Sequence, residues 1–143
     1  MNDNSIKHKY TIPDDLATAG EASSSVKKML TQLGVLPGIV KKTAVSMYEA
    51  EINAVIHAGG GTASVVVDQE KIVIIIDDKG PGIPDLELAM QEGYSTAPDY
   101  IREMGFGAGM GLPNIKRYAD KLDINTIVGE GTTVTILVYL KMG

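Results

Sequence analysis

The stretch from Asp77 to Leu112, DDKGPGIPDLELAMQEGYSTAPDYIREMGFGAGMGL, constrains this chain more than any other. It leaves an apolar strand, Ile72 to Ile76, through two carboxylates, Asp77 and Asp78. It turns at Gly80-Pro81-Gly82 and closes on glycines at every second position, Gly105, Gly107, Gly109 and Gly111. Glycine accepts positive φ and lets another group reach the backbone, at a cost in chain entropy. Glycines gathered near a carboxylate suggest a backbone cradle for something compact, anionic and polar, such as a nucleotide. The plainer alternative is a Gly-rich surface loop.

Two familiar phosphate schemes are excluded by spacing. A P-loop needs Gly-Lys followed by Ser or Thr, and the chain has no Gly-Lys pair. A dinucleotide fingerprint needs a glycine at the sixth position, which is Met110 counted from Gly105 and Leu112 counted from Gly107. Broader classes fall on composition. A formal net charge of -5 with no dense Lys/Arg run argues against nucleic acid as a partner. The absence of cysteine excludes disulfides and thiolate metal sites. The polar start MNDNSIKHKY is not a signal peptide, and Ile72 to Ile76 is far too short to span a bilayer. The expectation is a soluble cytoplasmic protein with no membrane role. Its 143 residues suit a single domain, 1–143, around one aliphatic core.

The order of elements bounds the fold. Lys7 to Ile12 alternates weakly as a strand. Pro13-Asp14-Asp15 reads as a helix start, and apolar residues at helical spacing predict a helix from Asp14 to Leu33, ended by Gly34. Pro37 suits the first turn of a second helix, Gly38 to Ala58, which stops at Gly59-Gly60-Gly61. Ala63 to Asp68 and Glu70 to Asp77 form a Val/Ile-rich hairpin. A short helix near Asp85 to Gln91 and an irregular segment precede a helix from Met110 to Leu122. A second hairpin, Asp123 to Val128 and Thr132 to Leu140, closes the chain. This order lacks regular βαβ alternation. It predicts an α+β two-layer sandwich, with a mixed, mainly antiparallel sheet and helices on one face.

The second helix carries another polar cluster. Glu49, Asn53 and His57 are four residues apart and share a face with Val45, Ile52 and Ile56. A carboxylate and an amide among β-branched residues call for a ligand, a metal or a polar pocket, because an unpartnered buried charge is costly. Mg²⁺ suits such oxygen donors beside phosphate oxygens and water. Glu51 lies about 200° round the helix from Glu49. A helix-terminal His57 is also explained by the dipole alone.

These boxes, taken in order, resemble the GHKL ATPase superfamily. Its Bergerat ATP-binding fold is shared by gyrase, Hsp-ninety-type chaperones, mismatch-repair proteins and histidine kinases. Within it the chain is similar to bacterial anti-sigma factors and switch proteins with serine/threonine kinase activity, over nearly its whole length. The resemblance implies Glu49 as general base and Asn53 as both a nucleotide-site residue and the Mg²⁺ ligand, with Ala58 where the family usually has glycine. It implies Asp78 of Asp78-Lys79-Gly80-Pro81-Gly82 as acceptor for the adenine amino group, with Gly80 and Gly82 letting the ring lie against the backbone and Ile83 beside them. Gly93-Tyr94-Ser95-Thr96 resembles the run before the lid, and Thr96 joins the nucleotide set. Gly105, Gly107, Ala108, Gly109, Met110, Gly111 and Leu112 would form the phosphate end. Thr132 of Gly129-Glu130-Gly131-Thr132 would stand near the adenine, with Thr133 an open alternative. Arg102 in the lid segment reads as an exposed lid residue, with contact to the γ-phosphate as the alternative.

The implied cofactors are ATP and Mg²⁺. The implied activity is phosphorylation of a STAS-type anti-anti-sigma partner, controlling sequestration of that partner or of a sigma factor. A homodimer through the first strand is left open. Two other functions compete: a non-catalytic module that uses nucleotide only to set its shape, and a simple ATPase without a protein substrate.

Overall fold

The structure, a computed structural model, describes residues 5–91 and 111–140. The elements are β1 (Ile6–Ile12), α1 (Glu21–Gln32), α2 (Pro37–Ala58), β2 (Gly61–Val67), β3 (Lys71–Asp78), α3 (Leu86–Ala89), α4 (Gly111–Tyr118), β4 (Lys121–Ile127) and β5 (Gly131–Tyr139). The strands form one sheet in the order β1-β2-β3-β5-β4, with every pairing antiparallel. The α+β sandwich expected from the element order is the observed fold.

Alternation along the strands decides which face is covered. Ala63, Val65, Val67, Ile72, Ile74, Ile76, Val134, Ile136 and Val138 are buried, and the residues between them are more exposed. Side chains two apart share a face, so the buried set is one side of the sheet. Helix α2 packs across that side on β2, β3 and β5, flanked by α1 and α4. Val26, Leu30, Ile39, Met47 and Ile115 complete the core from the helices. Each fully buried aliphatic side chain contributes about 1.5–3 kcal/mol of transfer free energy.

The caps explain where α2 runs. Pro37 occupies its first turn, and Gly59 at φ 71 ends it, with the Gly60 N–H donating to Ala54 O at 2.9 Å. The β2–β3 turn is held by Asp68, whose Oδ1 accepts from the N–H groups of Glu70 and Lys71.

Two boundaries differ from the sequence expectation. The first helix starts at Glu21, not Asp14. Asp15 instead accepts the Ala17 N–H and closes a turn, and Gly20 enters the helix at φ 102. The helix at Gly111 stops at Tyr118, and β4 begins at Lys121 instead of Asp123. Asp120 breaks it there: its N–H donates to Leu137 O at 3.0 Å, and its Oδ2 accepts the Tyr139 N–H at 2.8 Å. Among the described residues no helix is long and apolar enough to cross a membrane.

Candidate active site

Helix α2 presents Glu49, Asn53 and His57 one turn apart. Glu49 and Asn53 are half-buried, while Met47, Ala50 and Ala54 beside them lie in the core. Burial pushes the Glu49 carboxyl above the ordinary glutamate range, against a side-chain hydrogen bond from Asn114 that pulls it down. His57 is open to solvent on its outer side, yet desolvation by the surrounding chain holds its imidazole below the ordinary histidine range. The Asp78 carboxylate opposes that effect. His57 therefore lies within electrostatic reach of Asp78, so this face of α2 runs toward the end of β3.

Asp78 is the last residue of β3. Its Oδ1 accepts the N–H of Gly80 at 2.9 Å and that of Thr132, its cross-strand neighbour, at 3.1 Å. Among the described residues no hydrogen bond reaches its Oδ2. The glycines after it have a structural reason of their own. A Cβ on Gly80 would sit 2.5 Å from the Ala58 Cβ, so the loop lies directly on the end of α2. Gly82, at φ +80, has no room for a Cβ beside the Ile127 carbonyl. Pro81 O accepts the Gly129 N–H at 2.8 Å, and the Ile83 N–H donates to Thr126 Oγ1 at 2.8 Å. Thr126 in turn shares a hydroxyl hydrogen bond of 2.9 Å with Thr132. The Asp78 loop and the β4–β5 hairpin are thus a single bonded unit.

Thr132 and Thr133 are separated by the sheet. Thr132 is buried on Asp78's side, and the Thr133 hydroxyl donates to Asp77 Oδ1 at 2.9 Å on the other. Leu112 and Ile115 seat α4 in the core, with Leu112 9% exposed. Thr96, Gly105, Gly107, Ala108, Gly109 and Met110, with the expected lid and Arg102, lie outside the described residues. A cleft of 430 Å³ between α3, α4 and β4 contains none of Glu49, Asn53 or Asp78 and does not define this site.

The roles of three residues escaped the sequence reading. Asn114 shows only as a polar position between the buried Leu112 and Ile115. Thr126 is a polar residue at an inward position of β4. Glu51, 2% exposed, is structural: its carboxylate accepts the N–H groups of Gly20, Ala22 and Ser23 and so caps α1.

A family model described as histidine kinase-, DNA gyrase B-, and HSP90-like ATPase matches residues 46–142. The chain belongs to this ATPase family. As a GHKL ATPase domain it carries the capacity for ATP and Mg²⁺ that the architecture implies. The serine/threonine-protein kinase RsbT of Bacillus subtilis is 34% identical, over 99% of this chain and 100% of that protein. The anti-sigma F factor of Pasteuria penetrans is 35% identical, over 70% of this chain and 67% of that protein. This homology supports a regulatory, kinase-like role. Two solved structures share the fold. One holds the RsbU and RsbW domains of Rv1364c from Mycobacterium tuberculosis (TM-score 0.63, 14% identity, 93% of this chain and 32% of that one). The other is the mycobacterial sensor histidine kinase MprB (TM-score 0.55, 17% identity, 94% and 97%).

The donor set of this GHKL domain fits a magnesium ion. Glu49 and Asn53 offer oxygen atoms one turn apart at a half-buried, solvent-reachable position. Magnesium commonly takes one or two protein oxygens and fills its remaining positions with phosphate and water.

Proposed function

We propose that this chain is a regulatory serine/threonine protein kinase of the anti-sigma and switch type. It uses Mg-ATP to phosphorylate a STAS-like anti-anti-sigma protein, and so controls sequestration of that partner or of a sigma factor. It acts as one catalytic domain. One observation carries the reading: the Glu49–Asn53–His57 face of α2 runs to Asp78, with His57 in reach of its carboxylate and Ala58 against Gly80. A base, a metal ligand and a nucleotide acceptor then share one site. Similarity to a named serine/threonine kinase along the full chain supports it.

Each residue has a task in this reading. Asp78 keeps Oδ1 on the backbone and turns Oδ2 to the adenine amino group. Thr132, on the same side of the sheet, adds a hydroxyl near the base, and Gly80, Gly82 and Ile83 shape the adenine wall. Gly105 to Leu112 belong to the phosphate end, and Thr96, in the lid run, joins the nucleotide set. Asn53 would hold the magnesium ion, which supplies charge neutralisation on the phosphates when bound. Glu49 accepts the proton of the incoming serine or threonine hydroxyl. The hydroxyl oxygen bonds to the γ-phosphorus as the bond to the β,γ-bridging oxygen breaks, and ADP leaves.

Mass spectrometry of a co-encoded STAS protein after incubation with Mg-ATP tests this. The wild type adds one phosphoryl group, and E49A leaves the partner unmodified while still binding nucleotide. A wild type that binds nucleotide and partner but transfers nothing favours the second reading, a non-catalytic sequestering module. Similarity to proteins named anti-sigma F factors is what favours that reading.

A further inference from the structure

We infer that the cleft beside β4 is a docking site for an extended, acidic segment of a partner protein, which joins the sheet as an added strand along Lys121 to Asn125. This surface is separate from the phosphotransfer site and does not depend on that reading.

Strand β4 ends the sheet order β1-β2-β3-β5-β4 and pairs only with β5. An edge strand turns the N–H and C=O of every second residue away from its neighbour, and those groups are a template for another strand. Among the described residues, the one backbone bond that β4 makes outside its ladder is the hairpin bond from the Glu130 N–H to Ile127 O. The Asp78 loop closes that end of the edge: the Ile83 N–H reaches the Thr126 hydroxyl, and Gly82 lies against the Ile127 carbonyl. The stretch from Lys121 to Asn125 carries no such cover among the described residues.

The core is also open along this edge. Leu122 and Ile124 face the helix-covered side of the sheet but are only half-buried. Their partners on β5, Ile136 and Val134, are 0% and 7% exposed. The opening is the cleft of 430 Å³, whose floor also takes in Leu86, Met90 and Ala119. Alternate residues of a strand share a face. A segment paired with β4 therefore sends every second side chain into the cleft, over Leu122 and Ile124. A helix in the same place would leave the β4 backbone unpaired.

The rim sets the charge of the occupant. Lys116, Asp120 and Lys121 line it. Asp120 is already answered, with Oδ1 at 2.6 Å from Lys42 Nζ and Oδ2 accepting the Tyr139 N–H. Lys116 and Lys121 are exposed, and among the described residues neither is in an ion pair. Two lysines over an apolar floor select a segment that carries acids between its apolar residues. They also disfavour a second copy of this chain, because a twofold contact through β4 brings the same lysines to the same edge.

Random peptides of about ten residues, the length of a long strand, displayed on phage and selected on the full chain, test this. The enriched peptides alternate apolar and polar positions and include acids. A synthetic copy of an enriched peptide binds K116E/K121E about three- to thirty-fold more weakly than wild type, and M90K, which puts a charge on the cleft floor, weakens it further. Thermal melts establish that both variants are folded. Hydrogen exchange then reads the pairing: alternate amides from Lys121 to Asn125 exchange fast in the free chain and slow when the peptide is bound. Enriched peptides with helical spacing, peptides indifferent to both variants, or no enrichment at all overturn the proposal. Slow exchange at those alternate amides in the free chain means that the edge is already covered, by a second copy if dilution restores fast exchange and by the chain itself if it does not. Either result also overturns it.

Discussion

Glu49 and Glu51 sit two residues apart on one helix and do opposite work. Glu49 is half-buried and is the proposed base, and burial raises its carboxyl above the ordinary glutamate value of 4.5. A base acts when ionised, so the acid limb of the kcat profile is expected at a pH above that value. A limb at or below the ordinary glutamate range would contradict the assignment. Glu51 is buried for structure and takes three N–H groups at the start of α1. E51Q keeps the shape but loses the charge and sets an NH₂ against N–H donors. Hydrogen bonds to a charged group are worth about 1.5–3 kcal/mol, and a chain of this size loses roughly 5–10 °C in Tm for that. A melt within 1 °C or so of wild type would remove the cap from the account. Gly80 gives a third expectation. G80A drives a methyl into Ala58 and costs about 1–3 kcal/mol, and A58G relieves part of it. Purely additive costs in denaturant titrations of the two single variants and the double would show that the pair does not touch.

Helix α2 was legible because its signals are local: Pro37 at one end, Gly59 at the other, polar residues every fourth position between. The Val/Ile hairpin was legible for the same reason, with period-two alternation and a polar turn. The start of α1 was not. Its cap is a side chain about thirty positions away, Glu51, so Asp14 and Asp15 looked like the natural start. The end of α4 was missed because Asp120 bonds to β5, again a distant partner. Asn114 acquires meaning only when α4 lies against α2. The Asp120 junction carries its own prediction. Burial pushes its carboxyl up, but hydrogen bonds from Lys42 and the Tyr139 N–H, with the Lys42 charge, outweigh this and leave it below the ordinary aspartate value of 3.8. A depressed folded-state pKa gives stability that is present above the unfolded value and lost as pH falls through the folded one. Wild type should therefore lose its advantage over D120N as pH drops below about 4. A constant difference in unfolding free energy between pH 7 and pH 3 would contradict this.

At the scale of the whole molecule, the proposed site residues gather on one face of the sheet. The helices cover the side on which Asp78 and Thr132 lie, and α2 crosses that side with Glu49 and Asn53. The Asp78 loop is bonded to the β4–β5 hairpin through Pro81, Ile83 and Thr126, and rests on α2 through Gly80 and Ala58. Residues far apart in the chain are thereby held as one frame, which is what a phosphoryl transfer that works by positioning requires. The carboxylate of Asp78 is the fixed point of that frame. D78N retains Oδ1, and with it the bonds from Gly80 and Thr132, and changes only Oδ2 from an acceptor to a donor. Isothermal titration of Mg-ATP into wild type, D78N and E49A is the most direct test. The account predicts that D78N binds about ten- to a hundred-fold more weakly, matching the loss of a charged hydrogen bond, while E49A binds as wild type does. A folded D78N with wild-type affinity would contradict it.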